Sequence, residues 1–139
     1  DLPPVAKPVA AYVPAIQVDD QISTSGQLPL VSGSLPMTGL VGDQISQEDA
    51  AGQARVAALN ALAAAADVAG GVNNIRRVVR VVVYVANTAD FTAQPAVANG
   101  ASELFGEIFG DAGRHIRSAI GVASLPLGAP VKVELTVQV

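Results

Sequence analysis

The chain has 139 residues and a net charge of −4, and it is 50% hydrophobic but only 4% aromatic and 14% charged. The apolar content excludes a disordered chain, and no apolar run approaches the roughly 20 residues that cross a bilayer. The excess of acidic over basic residues and the few aromatic side chains argue against nucleic-acid binding. Such binding usually needs a strip of basic residues and aromatic side chains on which bases can stack. Because a domain of this size buries a modest fraction of its surface, the apolar excess predicts burial between subunits.

The chain has no cysteine and a single histidine, His115. A disulfide, a thiol nucleophile and a thiolate metal site are therefore excluded, and a zinc site would need acidic ligands. We expect no metal site. A cysteine-free composition is compatible with the cytoplasm, which is the location we expect. The chain opens on Asp1 rather than on Met, so we also expect residues upstream of it.

The amino-terminal third is predicted to be mostly irregular. Four prolines within residues 1–16 predict an extended arm. Residues 20–28 are predicted as a short strand that ends in Ser25-Gly26-Gln27. The glycines and prolines of residues 29–42 indicate a loop or an irregular hairpin.

A long helix is predicted to begin after Ser46, which is a good N-cap residue. Acidic residues follow in the first turn, where they favour the positive end of the helix dipole. The helix is predicted to continue to about Ala69 and to stop at Gly70-Gly71. Most of its side chains are alanine, so the helix can lie close against a sheet.

Three further elements are predicted in the second half of the chain. A β-branched strand covers residues 76–85, a helix covers residues 95–109 and another strand covers residues 116–123. Alternation along the first of these strands places two sets of side chains on opposite faces. One face is predicted to carry Val79, Val81, Val83 and Val85, and the other Val78, Arg80, Val82 and Tyr84.

The last predicted strand, residues 131–139, alternates strictly between apolar and polar side chains. The order of elements predicts an α+β fold with one sheet and two helices on one face of it. The other sheet face then has no helix to cover it. Because that face is predicted to carry Val78, Val82 and Tyr84, another subunit is the expected cover.

Arg117 is the first candidate for chemistry. Alternation predicts that the small residues Ala119, Gly121 and Ala123 share its face, which leaves a concavity beside the guanidinium. A guanidinium matches a carboxylate through two parallel hydrogen bonds. From the residues alone, an exposed arginine in a surface ion pair is the commoner explanation.

Glu134 is the second candidate, because it lies on the polar face of the last strand. If a neighbouring subunit covers that face, the carboxylate could orient a water or move a proton. Otherwise it is a solvated acid beside Lys132. Ser25-Gly26 could offer a hydroxyl and approachable amides, and Asn99 could offer an amide, although a turn and a surface helix explain these residues equally well. The residues alone therefore predict a small carboxylate-binding site and do not indicate a specific reaction.

Several motifs, taken in order, resemble those of one known family. They are Tyr12, Thr24-Ser25-Gly26-Gln27-Leu28-Pro29, Arg117-Ser118-Ala119, Leu125-Pro126 and Val131-Lys132-Val133-Glu134. With these motifs the chain resembles, from about Val9 to Val139, the RidA family, also called the YjgF or reactive intermediate deaminase family. Within it, the chain is similar to a branch with a longer loop before the second helix.

The resemblance implies a single RidA-like domain over residues 1–139 with a chorismate-mutase-like fold. Family members assemble as homotrimers with three clefts between subunits. The best-known members hydrolyse 2-imino and enamino acids to 2-oxo acids and ammonia without a cofactor. The implied partners are a small carboxylate substrate and two further copies of the chain, with no nucleic acid and no membrane.

The resemblance also implies roles for individual residues. Arg117 would hold the substrate carboxylate, and Glu134 would activate the water that attacks the C=N carbon. The backbone at Ala119, where family deaminases often carry cysteine, would help to fix the imine or the water. The remaining cleft residues would be Tyr12, Ser25, Gly26 and Asn99.

Two other activities remain open for such a chain. One is a non-catalytic trimer of the same fold that binds small carboxylates or regulates through them. The other is ribonuclease activity, after which some family members are named. The acidic charge of this chain gives the second of these little support.

Overall fold

The computed structural model describes residues 1–8 and 11–139 as one five-stranded sheet with two long helices packed on one face. The strand order is β1-β2-β5-β3-β4, and all neighbours are antiparallel except the parallel pair β3 and β4. The predicted α+β architecture is therefore confirmed. In chain order the elements are β1 (Ala15–Val18), β2 (Gln21–Thr24), α1 (Gln47–Ala69), β3 (Arg77–Ala86), α2 (Gln94–Phe109), β4 (Ile116–Val122) and β5 (Val131–Gln138).

Helix α1 has the predicted ends. The Ser46 hydroxyl accepts a hydrogen bond from the Asp49 amide at 3.1 Å, and Gly70 ends the helix in the left-handed conformation with φ 83°. Nine of its twelve buried residues are alanine, so the helix approaches its neighbours closely. A Cβ atom at Gly100 of α2 would overlap the carbonyl oxygen of Ala51. Backbone therefore meets backbone where the two helices cross.

The predicted faces of β3 are wrong at its beginning. The pairing of β3 with β5 shifts between Val78 and Arg80, which marks a β-bulge at Val79. Val78 is consequently fully buried in the core, whereas Val79 is only half-buried. An extra residue in one strand reverses the face of every residue before it, and the alternation rule cannot foresee that.

The amino-terminal arm is shorter than predicted. Residues 1–8 form no helix or strand, but Ala15 already belongs to β1. Strands β1 and β2 form a hairpin whose turn contains Asp19 at φ 55°. The predicted strand over residues 20–28 ends as β2 at Thr24 and resumes only as a single bridge between Gln27 and Val133. Residues 9 and 10 of the predicted arm lie outside the described residues.

The sheet face opposite the helices carries no covering element of this chain among residues 1–8 and 11–139; we call it the open face. Its polar and apolar side chains are half-buried or exposed, and three large ones, Ile16, Ile116 and Ile120, are 58%, 60% and 42% exposed. The strand pairing places Ile16, Arg80, Val82, Tyr84, Ile116, Ile120, Lys132, Glu134 and Thr136 on the open face.

None of the helices in the described ranges combines the length and the apolar character that a membrane crossing requires.

Candidate functional site

Arg117 lies on the helix side of the edge strand β4, where its Cα is the partner of the buried Val81. Its Nη1 atom donates to Asn99 Oδ1 at 2.8 Å and to Ser102 Oγ at 3.1 Å. Among the described residues, Nε and Nη2 have no hydrogen-bond partner and no carboxylate lies within ion-pair distance of this guanidinium. The expectation of a surface ion pair is therefore wrong for the described part of the chain. The free Nε–Nη2 edge is the edge that can take a carboxylate through two parallel hydrogen bonds.

The small residues predicted beside Arg117 share its side of β4. Ala119 packs against the core, and Gly121 follows two residues later. The side chains of Asn87 and Gln94 occupy the space beside Gly121, because a Cβ atom there would lie 2.7 Å from an atom of each. The concavity predicted beside the guanidinium therefore does not extend to Gly121. The expected Ala123 lies beyond the end of β4.

Ser102 and His115 extend the hydrogen bonding around Arg117, although no role was predicted for Ser102. The hydroxyl oxygen of Ser102 lies 2.9 Å from His115 Nε2, and His115 Nδ1 lies 2.6 Å from the carbonyl oxygen of Gly113. The imidazole packs edge-on against Phe105, with ring centroids 6.0 Å apart. Ser102 follows Asn99 by three residues, which puts both on one face of a helix. That spacing is the signal that could have identified it.

Glu134 lies on the open face and is bound by a tyrosine. The hydroxyl of Tyr84 donates to Glu134 Oε1 at 2.7 Å. This hydrogen bond, followed by burial and the negative charge of the glutamate, raises the pKa of Tyr84 above its ordinary 10.0, and the charge of Arg80 opposes the shift. Lys132 Nζ lies 5.9 Å from the centroid of the Tyr84 ring. Sequence reasoning missed Tyr84 as a partner of Glu134, because the contact depends on the pairing of β3 with β5.

Tyr12, Ser25 and Gly26 meet at one cavity of about 270 Å³, which Lys132 and residues of the arm also line. A Cβ atom at Gly26 would overlap the end of the Lys132 side chain, so the glycine leaves the space through which this lysine passes. The Ser25 hydroxyl donates to the Pro14 carbonyl at 3.3 Å and accepts from Gln27 Nε2 at 3.2 Å. The cavity therefore adjoins the open face through Lys132.

The predicted site residues fall into two groups. Arg117, Asn99 and Ala119 lie along β4 and α2, on the helix side of the sheet. Glu134 lies on the other side of the sheet, because its Cα partner is Val82 rather than Val81. Tyr12, Ser25 and Gly26 line the cavity that adjoins the open face. A single chain therefore does not bring Arg117 and Glu134 into one cleft. The described residues contain no group of three or more side chains able to hold a metal ion.

Comparison with known proteins identifies the family. The family profile described as "YjgF/chorismate mutase-like, putative endoribonuclease" matches residues 1–139. The chain belongs to the YjgF/chorismate mutase-like family. This membership confirms the resemblance found in the motifs and the predicted fold of the chain.

Some relatives of this chain have names that indicate an activity, and others do not. Protein TCP17 of Trypanosoma cruzi is 38% identical over 138 residues, which cover 99% of this chain and 86% of the relative. A 2-iminobutanoate/2-iminopropanoate deaminase of Dermatophagoides farinae is 29% identical over 133 residues, which cover 95% of this chain and 88% of the relative. The crystal structure of protein Atu1372 of Agrobacterium tumefaciens, whose function is unknown, matches with a TM-score of 0.89 and 39% identity over 92% of this chain and 82% of that one.

Proposed function

We propose that this chain hydrolyses reactive 2-imino and enamino acids to 2-oxo acids and ammonia, in clefts between the copies of a homotrimer. The observation that carries the proposal is the Arg117 guanidinium, which Asn99 and Ser102 hold by Nη1 while no described residue bonds its Nε–Nη2 edge. The relative named as a 2-iminobutanoate/2-iminopropanoate deaminase supports the same reaction class.

The proposed reaction needs one water and no redox partner. Arg117 binds the carboxylate of the imino acid and so fixes the position of the adjacent C=N carbon. Water adds to that carbon while Glu134 takes one of its protons. Glu134 passes this proton to the nitrogen, which gives a carbinolamine with an amino group. The hydroxyl proton of the carbinolamine then moves through Glu134 to the nitrogen, the carbon–nitrogen bond breaks, and ammonia leaves as the carbonyl forms. The hydrogen bond from the Tyr84 hydroxyl to Oε1 holds the Glu134 carboxylate in place for this role.

The cleft requires two copies because Arg117 and Glu134 lie on opposite sides of the sheet. The exposed isoleucines of the open face, Ile16, Ile116 and Ile120, suit burial against another copy. In this arrangement one copy supplies Arg117, Asn99 and the backbone at Ala119. Its neighbour supplies Glu134 together with Tyr12, Ser25 and Gly26. A homotrimer closes such head-to-tail contacts into a ring.

A coupled assay tests the proposal. A threonine dehydratase generates 2-iminobutanoate, semicarbazide traps it, and the rate of semicarbazone formation is followed. We expect the added protein to lower trapping, Arg117→Ala and Glu134→Gln to abolish the effect, and Ser34→Ala, on an exposed loop outside both groups, to behave as the unmodified protein. Full activity of folded Arg117→Ala would contradict the role of the guanidinium. Unchanged trapping by folded protein with several amino-acid precursors would contradict the enzyme.

Carboxylate binding without catalysis is the second candidate, because one chain alone presents the recognition edge of Arg117 but not Glu134 beside it. Binding of 2-oxobutanoate, measured by calorimetry and lost in Arg117→Ala, with unchanged semicarbazone formation would favour this candidate. The family description includes the word endoribonuclease. The net charge of −4 gives ribonuclease activity little support in this chain. RNA cleavage that survives repurification and is lost in Arg117→Ala would reverse that view.

A further inference from the structure

Arg117 is the first member of a continuous series of hydrogen bonds that crosses from β4 to α2 and returns to the segment before β4. Its Nη1 lies 3.1 Å from Ser102 Oγ, which lies 2.9 Å from His115 Nε2, and His115 Nδ1 lies 2.6 Å from the Gly113 carbonyl oxygen. All of these contacts are partly buried. The proposed reaction uses Arg117, but it gives no role to His115 and does not say what the contact with Ser102 contributes.

The chemistry of the two ends, together with a neutral imidazole, sets the direction of every bond in the series. A guanidinium can only donate, and a backbone carbonyl can only accept. His115 Nδ1 must therefore carry the proton that is donated to the Gly113 carbonyl oxygen. In the neutral imidazole, Nε2 is then an acceptor, so the Ser102 hydroxyl donates to His115 and accepts from Arg117. Every donor in the series thus points away from the guanidinium, and hydrogen bonds aligned in this way strengthen one another.

We propose that Ser102 and His115 are positioning residues for Arg117: the imidazole orients the Ser102 hydroxyl, and the hydroxyl holds Nη1 so that the Nε–Nη2 edge faces the ligand carboxylate. This inference rests on the proposed function, because it assigns the free edge of Arg117 to a carboxylate. Asn99, an exposed residue, holds the other Nη1 hydrogen at 2.8 Å. The two bonds together fix the plane of the guanidinium.

The expected benefit is that the arginine is ordered before the ligand arrives. An arginine side chain has many rotamers, and binding must otherwise restrict them. Removal of the Ser102 hydroxyl should therefore weaken carboxylate binding by about tenfold, the order expected when one hydrogen bond to a charged group is lost. The catalytic step should change much less, because neither Ser102 nor His115 contacts the reacting carbon in this arrangement.

Calorimetry with 2-oxobutanoate, applied to the assembled protein, tests this inference separately from catalysis. We expect Ser102→Ala to raise the dissociation constant about tenfold. Ser34→Ala, which removes a serine hydroxyl at another position, should leave the dissociation constant unchanged. In the deaminase assay Ser102→Ala should raise KM with little effect on kcat. Wild-type affinity in Ser102→Ala, together with lost affinity in Arg117→Ala, would overturn the positioning role and leave the proposed function standing. Unchanged affinity in Arg117→Ala would instead contradict the proposed function.

Paired substitutions at His115 test the second member of the series. His115→Phe keeps a ring against Phe105 but removes the acceptor, so we expect it to weaken 2-oxobutanoate binding as Ser102→Ala does. His115→Gln keeps an acceptor near the position of Nε2 and should retain more affinity. Equal affinities of the Phe and Gln variants would contradict the proposed hydrogen bond from Ser102.

His115 is also a spectroscopic reporter, because it is the single histidine of the chain. Long-range proton–nitrogen correlation spectra should show the tautomer protonated at Nδ1. Addition of 2-oxobutanoate should shift the imidazole resonances in the wild type, and the shift should disappear in Ser102→Ala. A tautomer protonated at Nε2, or an unchanged ligand-induced shift in Ser102→Ala, would overturn the inference.

Discussion

At the scale of single residues, the hydrogen bond between Tyr84 and Glu134 can be titrated directly. It raises the pKa of Tyr84 above its ordinary 10.0, because ionisation would break the bond and place two negative charges together. The folded state therefore favours the protonated phenol. The stability that this preference contributes is present below the ordinary pKa and is lost as the pH rises through the raised one.

The chain has two tyrosines and no tryptophan, so ultraviolet absorbance resolves this titration. We expect the ionisation of Tyr84 to occur above its ordinary pKa of 10.0, and Glu134→Gln to move it to lower pH. Tyr84→Phe should remove this phase of the titration. A phase that Tyr84→Phe removes but Glu134→Gln does not move would show that the carboxylate is not the cause of the raised pKa.

Part of the candidate site could be predicted at this scale. Arg117 and Asn99 were both selected from the sequence, and the structure joins them by a hydrogen bond. Ser102 could have been identified from its helical spacing from Asn99. Tyr84 could not have been identified in this way, because its contact with Glu134 joins residues 50 positions apart. That contact depends on a strand pairing that local patterns do not encode. The separation of Arg117 and Glu134 by the sheet has the same cause.

At the scale of elements, two glycines in the helices should respond oppositely to alanine. Gly100→Ala would place a Cβ atom against the Ala51 backbone where α1 and α2 cross, and rigid backbone cannot yield as a flexible side chain can. We expect a loss of about 1–3 kcal/mol or more in unfolding free energy. Gly52→Ala is the control, because among the described residues no atom beyond the adjacent residues and the local helix backbone lies within 4 Å of its Cβ position. We expect a gain of about 0.5–1 kcal/mol there.

Urea unfolding at one fixed protein concentration measures both changes, since assembly would make stability depend on concentration. Equal responses of the two glycines would contradict the close crossing of the helices.

The elements themselves were largely predictable because their ends and periods are local. Ser46 and Gly70 mark the ends of α1, and the alternation of β5 places Val131, Val133 and Leu135 in the core as expected. The bulge at Val79 was not predictable. It leaves the β-branched composition of β3 unchanged and alters only how that strand pairs with β5.

At the scale of the whole molecule, the open face is predicted to be an interface. Light scattering should give a mass of about 42 kDa, three times the chain mass of 14.0 kDa. Ile120→Lys places a charge on the open face and should shift the mass towards that of one chain. Ile108→Lys on α2 is a matched control, because the two isoleucines are 42% and 43% exposed. Dissociation of both variants alike, or of neither, would contradict an interface on the open face.

Mixing two inactive variants tests whether the cleft spans two copies. Arg117→Ala and Glu134→Gln should each be inactive in the deaminase assay. When they are co-expressed, random assembly should leave about a quarter of the clefts with both groups intact. We therefore expect activity to return in mixed trimers, whose composition native mass spectrometry can verify. No activity in verified mixed trimers would show that both groups come from one chain.

The placement of Arg117 and Glu134 on opposite sides of the sheet has a genetic consequence. Each cleft would need one intact chain on either side, so a chain that lacks both groups damages two clefts at once. If such a chain were made in the same amount as the wild type, about a quarter of the clefts would remain rather than half. An allele that encodes a folded but doubly defective chain should therefore be partly dominant, whereas an allele that prevents folding should be recessive.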